Sequence, residues 1–435
     1  MRFLDARGLS VDQVAAKLAR NPGWMERALA AAREILDDVL RRGDAAVLDA
    51  TDRFDGVRPP RLRLDRELLE AALRRIPPPL RSSLEFVARQ VEAFHRPQLP
   101  LGYEMIIGPS GSRAGQRPVA LDRVGIYVPG GPRGYPSSAL MGTIPARIAG
   151  VREIVVATPP SRETGAPPDA VLAAAALGGA TEVLVAGGAQ AIGALAYGTA
   201  SIRLVDKIVG PGNEFVTAAK LLVGDRVATD GIAGPSEVLV VADETLTTDV
   251  FAAELLAQSE HDPLAVAVGI LVDDRDPARV EDAIRSRAGA LPRGREATES
   301  LERNGWILRA SDVAEALDVA NALAPEHLVL AVADARILQY AVRNAGAVFL
   351  GPASPAALGD YTIGSNHILP TAGTARWRGG LGVRDFVKFV TWVNVAASDL
   401  LSLGDPARII AREEGFVAHA AAIEARVARS PEVGP

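Results

Sequence analysis

The sequence predicts an α/β protein with two doubly wound parallel sheets. From Val124 onward, short apolar, β-branched runs alternate with helical stretches, a pattern typical of parallel sheets covered on both faces. These strands are too many for one compact sheet, and 435 residues are enough for about two to four domains. A mostly helical first quarter precedes the alternation, and from Asp385 the chain is expected to be helical to its end.

Periodicity and breaker residues define the individual elements. Apolar residues at helical spacing predict helices; Asp65 is expected to cap one helix, which ends before Pro77, and Gly43 is expected to end another. Continuous β-branched runs predict buried strands. The expected helices cover residues 11–18, 24–42, 45–54, 66–76, 80–94, 168–176, 190–196, 213–222, 250–261, 277–288, 313–323 and 335–344, and the expected strands cover 104–107, 117–120, 124–128, 153–157, 182–186, 207–209, 238–241, 264–272, 306–309, 328–332 and 347–350.

Composition excludes several functional classes. A net charge of -6 without a basic stripe argues against a nucleic-acid-binding protein. No apolar run reaches eighteen residues and the N-terminus turns polar at Asp5, so we expect no membrane span, no signal peptide and a cytoplasmic address. Because cysteine is absent, disulfides and thiolate metal sites are excluded, and any zinc here would need His, carboxylate or amide oxygen ligands.

Glycine-rich turns follow three of the predicted strands, at residues 129–131, 187–190 and 210–213. Ligands of doubly wound sheets bind beyond the carboxyl ends of the strands, and glycine there lets the backbone approach a phosphate at the next helix N-terminus. The three turns therefore favour a nucleotide ligand. The pattern lacks a complete G-x-G-x-x-G fingerprint and the acidic residue that usually follows it, so tight turns that serve packing alone remain the alternative.

A strand–helix unit ends in two side chains that can bind a metal. The turn at Ser236 leads into an apolar strand, and Thr247 begins a helix whose last turn carries Gln258 and His261. These two residues are three apart and are expected to project from one face. Asp262, followed by proline, stops the helix close to His261.

Glu326 and His327 are adjacent on a turn after Pro325, between a predicted helix and strand. A carboxylate and an imidazole on one rigid turn can act as a paired acid and base, although a polar surface turn is the alternative reading. Asp360 is expected at the carboxyl end of a strand, and His419 lies in the C-terminal helical part. Taken singly, Asp360 and His419 have the character of ordinary surface groups.

Nine motifs, in order along nearly the whole chain, resemble the histidinol dehydrogenase family: VGIYVPGG, GGAQAIGALAYGT, KIVGPGN, AGPSEVLVVADE, LLAQSEH, PEHL, NAGAVFLG, GDYTIGSNHILPT and EEGFVAHA. The resemblance implies oxidation of L-histidinol to L-histidine by way of L-histidinaldehyde, with two NAD+ and one zinc per subunit. It implies that zinc positions the substrate and is bound by Gln258, His261, Asp360 and His419.

The resemblance also implies the roles of further residues. Glu326 would activate the water that adds to the aldehyde, and His327 would act as acid and base toward the substrate oxygen. Tyr127, Gln190 and Asn213 would contact NAD. The substrate contacts implied by the motifs are Ser236, Gln258, His261, His327, Asp360, Glu414 and His419. His367 is also expected near the site, where it would orient Asp360.

By the same resemblance the two sheets form Rossmann-like domains, one inserted in the other. The expected partition is an N-terminal helical segment (1–23), a discontinuous first domain (24–126 and 238–381), an inserted second domain (127–237) and a C-terminal helical segment (382–435). The implied assembly is a homodimer, in which Glu414 and His419 complete the partner's site.

Three alternatives stay open on the sequence alone. A relative with the same fold could oxidise another small alcohol such as sulfopropanediol. A zinc hydrolase could use Glu326 as its base, although this leaves the three glycine turns without a purpose. A non-catalytic binding protein would have no use for adjacent Glu326 and His327.

Overall fold

A computed structural model describes residues 1–18, 24–131, 133–231 and 234–427. The expected boundary of the N-terminal segment at residue 23 lies outside these ranges. Its strands are β1 (Arg2–Asp5), β2 (Arg63–Asp65), β3 (Tyr103–Ile106), β4 (Arg113–Ala120), β5 (Arg123–Tyr127), β6 (Glu153–Thr158), β7 (Glu182–Val185), β8 (Lys207–Val209), β9 (Ala228–Thr229), β10 (Glu237–Ala242), β11 (Val266–Leu271), β12 (Trp306–Arg309), β13 (His327–Ala331), β14 (Ala347–Leu350) and β15 (Val387–Asn394).

Helices connect most of these strands. They are α1 (Val11–Leu18), α2 (Trp24–Arg42), α3 (Asp44–Asp55), α4 (Arg66–Arg75), α5 (Pro78–His95), α6 (Pro136–Ala149), α7 (Asp169–Gly178), α8 (Gly188–Tyr197), α9 (Glu214–Leu222), α10 (Thr248–Ser259), α11 (Pro277–Ala288), α12 (Gly294–Asn304), α13 (Val313–Leu323), α14 (Ala335–Leu338), α15 (Ala356–Tyr361), α16 (Leu400–Glu413) and α17 (Val417–Val427). Within the described ranges, no helix is long and apolar enough to cross a membrane.

The first sheet has the strand order β1-β12-β11-β10-β13-β14, and its strands are all parallel. Its central strand β10 is buried along its whole length, as expected for an apolar run covered on both faces. The chain leaves β10 toward β11 and β12 on one side and later adds β13 and β14 on the other. The order therefore reverses between β10 and β13, where Val238 lies opposite His327.

The second sheet has the order β2-β7-β6-β5-β8-β9, with β2 antiparallel at one edge and the other strands parallel. Here the strand order reverses between β5 and β8. In open α/β sheets such a reversal opens a crevice at the carboxyl ends of the two strands. Tyr127 is the last residue of β5 and Gly210 directly follows β8, so both lie at that crevice.

Among the described residues, 98–120 and 387–427 form one compact unit, here called unit 2, and the others form a second, unit 1. Unit 2 contains the antiparallel sheet β15-β4-β3 and the helices α16 and α17. The expectation that the chain is helical from Asp385 onward is wrong at β15, which pairs with β4 along eight residues. The strand is exposed along most of its length, so it lacks the buried apolar signal on which the prediction depended.

The sheets also place the first part of the chain differently from the expected partition. Residues 24–126 were expected to join 238–381, yet β2 pairs with β7 and β5 with β6 and β8. The first quarter therefore belongs with the second sheet, because its helices bury their apolar faces there: Val39 of α2 shares a hydrophobic cluster with Ile192 of α8. The expected N-terminal segment also begins with a strand, β1, which pairs with β12.

Three helices were not predicted: α6, α12 and the short α15. Helix α6 is buried over most of its length and contains Pro145, so it has neither a polar face nor an uninterrupted helical pattern. Helix α12 does carry a signal, since Ala297 and Leu301 are buried four residues apart. The expected helix 335–344 is shorter, because α14 ends at Leu338 and continues as a 3-10 turn.

Candidate active site

Two glutamates lock the amino end of β10 to the amino end of β13. The Glu237 N–H donates to Glu326 Oε2 at 2.8 Å, and the Glu326 N–H donates back to Glu237 Oε2 at 3.3 Å. The other carboxylate oxygen of Glu237 accepts a hydrogen bond of 2.6 Å from the Ala372 N–H. Both glutamates are more than nine-tenths buried. Glu326 is thus held by main-chain contacts from a neighbouring strand, and Ala324 just before it is left-handed at φ 50°.

A main-chain carbonyl of β10 fixes the tautomer of His327. Its Nδ1 lies 3.0 Å from the Glu237 carbonyl, which can only accept, so Nδ1 carries the proton. Its Nε2 is buried, has no hydrogen-bond partner among the described residues, and lies 3.4 Å from Asp360 Oδ1. Glu326 Oε2 lies 3.6 Å from Nδ1 on the other side of the ring. The arrangement leaves Nε2 as the nitrogen that can exchange a proton with a substrate.

Charge around His327 favours its protonated form. Burial lowers the pKa of His327, but the carboxylates of Glu326 and Asp360 outweigh it and hold this pKa well above the usual value. Burial raises the pKa of Asp360, yet His327, His367 and His261 together bring it below its usual range. Asp360 is therefore a carboxylate surrounded by imidazoles.

His367 supports Asp360 from behind. Its Nδ1–H donates to the Asp360 carbonyl at 2.9 Å, and the Ser138 hydroxyl lies 3.1 Å from its Nε2. Burial lowers the pKa of His367 despite the nearby Asp360. The orienting role expected for His367 thus acts on the main chain of Asp360, while its ring is fixed at both nitrogens.

Helix α10 carries the two expected metal ligands at its carboxyl end. Gln258 is buried in the last turn, whereas His261 is exposed and lies just past the helix. His261 is close enough to Asp360 for its charge to lower the pKa of that carboxylate. One turn before Gln258, Glu254 accepts a hydrogen bond from the Ala356 N–H at 3.3 Å, and burial raises its pKa, with a further contribution from Asp360. The sequence analysis did not select Glu254.

Glu237, Glu326 and His327 lie at the amino ends of β10 and β13, and not at the carboxyl ends of these strands. Asp360 was expected beyond the carboxyl end of a strand, but α15 leads the chain back across the sheet and brings Asp360 beside His327. In the second sheet, the turn at Gly210 does follow the carboxyl end of a strand, β8.

A cavity of about 120 Å³ within unit 1 is lined by residues that follow or precede strands of both sheets. Ser236 and Glu326 line it from the first sheet, and the turn 210–212 lines it from the second. Its wall also contains the residues Asp230, Gly231, Gly234, His367, Ile368, Leu369, Pro370, Thr371, Thr374, Arg378, Gly379, Leu381 and Asp385. The candidate acid–base residue Glu326 therefore shares one cavity with a glycine turn predicted to bind a nucleotide.

The turn at Gly210 is supported from beneath by a buried ion pair. Lys220 donates to the Gly210 carbonyl and, at 2.7 Å, to Asp230 Oδ1, while the Gly210 N–H donates to Asp230 Oδ2 at 2.6 Å. Gly210 has φ +121°, and a Cβ there would lie 2.1 Å from the Tyr127 carbonyl oxygen. Only glycine fits this position, so the turn is a rigid platform.

The three expected NAD contacts have different surroundings. Asn213 is exposed and caps α9, accepting hydrogen bonds from the main-chain N–H groups of Phe215 and Val216. Tyr127 is buried, and its hydroxyl accepts a 3.0 Å hydrogen bond from the Gly188 N–H. Gln190 is buried in the first turn of α8, and its Oε1 is without a hydrogen-bond partner in the described part of the chain.

The remaining expected site residues, Glu414 and His419, lie in unit 2. Glu414 directly follows α16, and His419 lies in the first turn of α17. The ring of His419 lies at an oblique angle to the ring of Phe416, with 5.3 Å between the centroids. Both side chains are exposed. They belong to unit 2, whereas the residues that line the cavity belong to unit 1.

The chemistry of the donor set is suited to zinc. Gln258, His261, Asp360 and His419 offer oxygen and imidazole nitrogen, which zinc accepts without thiolates. Within the described residues no group of three or more His, Asp or Glu side chains is close enough together to hold a metal ion. His261 and Asp360 are near each other in unit 1, and the amide of Gln258 and the imidazole of His419 would have to complete the set.

Comparison with known proteins decides the family. A family model described as histidinol dehydrogenase matches residues 19–427. Proteins named histidinol dehydrogenase from Methanothermobacter thermautotrophicus and Rhodopseudomonas palustris are each 46% identical to the chain, covering 91% and 92% of it and 92% of their own lengths. The chain belongs to the histidinol dehydrogenase family. A crystal structure of histidinol dehydrogenase from Elizabethkingia anophelis matches with a TM-score of 0.91 at 31% identity, covering 98% of both chains.

Membership in the histidinol dehydrogenase family confirms the predicted resemblance, the α/β fold class and the assignment as an oxidoreductase. It does not favour a hydrolase, a non-catalytic binding protein or a dehydrogenase of another alcohol. The residues that the sequence analysis missed are Glu237, Glu254 and Lys220. A buried strand that begins with a glutamate was the available signal for Glu237, and a position four residues before Gln258 was the signal for Glu254.

Proposed function

We propose that this chain oxidises L-histidinol to L-histidine through L-histidinaldehyde, with NAD as hydride acceptor. The observation that carries the proposal is the cavity in which Ser236 and Glu326 meet the glycine turn 210–212. A substrate bound there would face the carboxylate of Glu326 on one side and the proposed dinucleotide turn on the other. The family to which the chain belongs supports histidinol as the alcohol.

Two oxidations need two different proton acceptors, and the site offers both. In the first, the neutral form of His327, which its raised pKa makes available as the pH rises, takes the hydroxyl proton at Nε2 while the carbinol carbon loses a hydride. In the second, Glu326 takes a proton from water as its oxygen adds to the aldehyde, and His327 returns its proton to the carbonyl oxygen, which gives the hydrate. The hydrate then loses a hydride and two protons and becomes a carboxylate. Each hydride goes to bound NAD, which is the chemistry that the cofactor supplies. One histidinol therefore yields two NADH.

We propose that zinc is bound by Gln258, His261, Asp360 and His419. A bound zinc ion would serve as a template for the imidazole and amine of the substrate. The protein's own contribution is orientation: the hydrogen bond from His367 to the Asp360 carbonyl holds that carboxylate toward His327. Ser236 and Glu414 are proposed as further substrate contacts, and Tyr127, Gln190 and Asn213 as NAD contacts.

A homodimer is proposed from the surface of unit 2. This small unit exposes many large apolar side chains, an arrangement expected of a surface that a partner covers. The most exposed are Leu101, Tyr103, Met105, Ile106, Val393, Ile409, Ile410, Phe416 and Val417. Glu414 and His419 are exposed on the same unit, so a second copy could receive them in its site. The cytoplasmic address predicted from the sequence stays a prediction.

The reaction is tested by NADH absorbance. The purified chain receives L-histidinol and NAD+, before and after chelation and after zinc is restored. We expect about two NADH per histidinol, loss of activity on chelation and recovery with zinc. NADH from another small alcohol but not from histidinol would overturn the proposed substrate, and NADH production that survives complete chelation would overturn the role of zinc.

The dimer is tested by mixing two inactive variants, His419→Ala and Glu326→Gln, under conditions that exchange subunits. If His419 acts in the partner's site, each mixed dimer has one complete site, and random exchange restores about a quarter of wild-type activity. If His419 acts within its own chain, no complete site forms and the mixture stays inactive. Mixing His419→Ala with Glu414→Ala is the matched control, because both changes remove residues from the same unit and the pair regains less activity.

A further inference from the structure

A carboxylate near the proposed NAD site has an oxygen without a partner. Asp55 is the last residue of α3, and Gly56 follows it in the left-handed region at φ 72°. Its Oδ2 is buried and has no hydrogen-bond partner within the described ranges. Arg162 comes close, but its Nε donates to the main-chain carbonyl of Asp55 at 2.9 Å and not to the carboxylate. The acceptor is therefore available to a ligand.

A second unpartnered acceptor lies in the same region. Gln190 is 1% exposed, and its Oε1 lies above Gly188, where a Cβ would be 2.7 Å away from it. Gly188 is left-handed at φ 59°, and its N–H donates to the hydroxyl of Tyr127. Burial raises the pKa of Tyr127 to about 12, and the charge of Asp55 adds to this rise, so the carboxylate lies near the same phenol.

Two buried acceptors without donors are costly for a folded chain unless a ligand satisfies them. Burial raises the pKa of Asp55 to about 6, which still leaves the group ionised at neutral pH. An ionised carboxylate accepts hydrogen bonds and cannot donate them. The region therefore suits a ligand with hydroxyl groups and disfavours one with a phosphate in the same place, since phosphate brings negative charge to a partly buried anion.

We propose that Asp55, together with Gln190, accepts hydrogen bonds from the hydroxyls of a ribose of the bound dinucleotide and that Asp55 thereby selects NAD over NADP. This inference rests on the proposed use of a dinucleotide. In many Rossmann folds the carboxylate that binds the ribose follows the glycine-rich turn by about 20 residues. In this chain the proposed carboxylate, Asp55, comes instead from the N-terminal helix α3, which packs beside α8: Val47 of α3 and Ala189 of α8 share one hydrophobic cluster.

The test measures binding directly, by the fluorescence of NADH and NADPH titrated with protein. The variants are Asp55→Asn, which removes the charge at constant shape, and Asp52→Asn, an exposed position on the same helix, as the matched control. For Asp55→Asn we expect NADH to bind about tenfold or more weakly and NADPH no more weakly than to the wild type. The dissociation constant for NADPH divided by that for NADH then falls, while Asp52→Asn leaves this ratio unchanged.

Thermal unfolding of the ligand-free protein separates this role from a structural one. Removing an unsatisfied buried charge leaves the unfolding midpoint unchanged or raises it, whereas a structural carboxylate would lower it. Equal changes in NADH and NADPH affinity, no change in either, or a lowered midpoint would each overturn the inference. If Asp55→Asn shifts the ratio while the wild type makes no NADH from histidinol, only the proposed substrate fails. If the wild type oxidises histidinol and the ratio does not move, only the role of Asp55 fails.

Discussion

Replacing Glu237 should lower both the stability and the activity of the protein, although Glu237 does not line the cavity. Its carboxylate accepts hydrogen bonds from the Glu326 N–H at 3.3 Å and the Ala372 N–H at 2.6 Å, and its main chain contacts both Glu326 and His327. In Glu237→Gln the new amide presents an NH2 group to one of the two N–H donors. One charge-assisted hydrogen bond is lost and one buried N–H is left without an acceptor, at a cost of about 2–4 kcal/mol in free energy of unfolding.

The same change should lower kcat more than it raises KM. Glu237 positions Glu326 and His327, and a small displacement of an acid–base pair costs about tenfold to a hundredfold in rate. The KM for histidinol should change little, because Ser236 and Glu326, and not Glu237, line the cavity.

Two measurements are needed: urea unfolding for the free energy, and initial rates with histidinol and NAD+ for kcat and KM. Glu244→Gln is the matched control, since Glu244 is an exposed glutamate just beyond the other end of β10. Glu237→Asp keeps the charge with a shorter side chain and should fall between wild type and Glu237→Gln. An unfolding free energy and a kcat that both match the control would refute the hydrogen-bond reasoning, and a loss of stability with an unchanged kcat would refute the positioning role.

Three further predictions follow from the same contacts. Glu326→Gln should slow oxidation of the aldehyde by about 10²–10⁴-fold without weakening NADH binding, which separate assays with histidinaldehyde and NADH would check. Lys220→Met leaves the nearly buried carboxylate of Asp230 without its cation, so we expect the free energy of unfolding, measured with urea, to fall by about 3–5 kcal/mol. The double variant with Asp230→Asn should recover part of this loss, and strictly additive effects would contradict the pairing. Hydrogen bonds, first from Ser112 and then from Ser110, hold the pKa of Asp399 at about 2. The contribution of Asp399 to the stability of unit 2 is therefore complete above about pH 4 and is lost as the pH falls toward 2. The thermal midpoint of Asp399→Asn should therefore vary less over that interval, and an identical slope in both proteins would argue against this contribution.

Local signals explain which elements could be predicted. Strand β10 and helix α10 each carry their own pattern, a continuous apolar run and a capped helical period, and both occur within two residues of the expected bounds. Helix α6 has no such pattern because it is buried over most of its length and contains Pro145. Strand β15 is exposed and forms only by pairing with β4, more than 250 residues earlier in the chain, so nothing local distinguishes it.

The candidate site also has a part that the sequence predicts and a part that only the fold brings together. Residue types and spacing select Glu326 with His327 and Gln258 with His261, because these pairs are neighbours in the chain and their chemistry is visible in it. Only the tertiary structure decides that His327 meets Asp360, that Glu237 reaches Ala372 and that Asp55 lies near Tyr127. Those contacts depend on strand order and on the direction of a crossover, which periodicity does not contain. By itself the sequence determined the elements, the family and the reactive residue types, whereas the packing of two sheets determined which of those residues face one another.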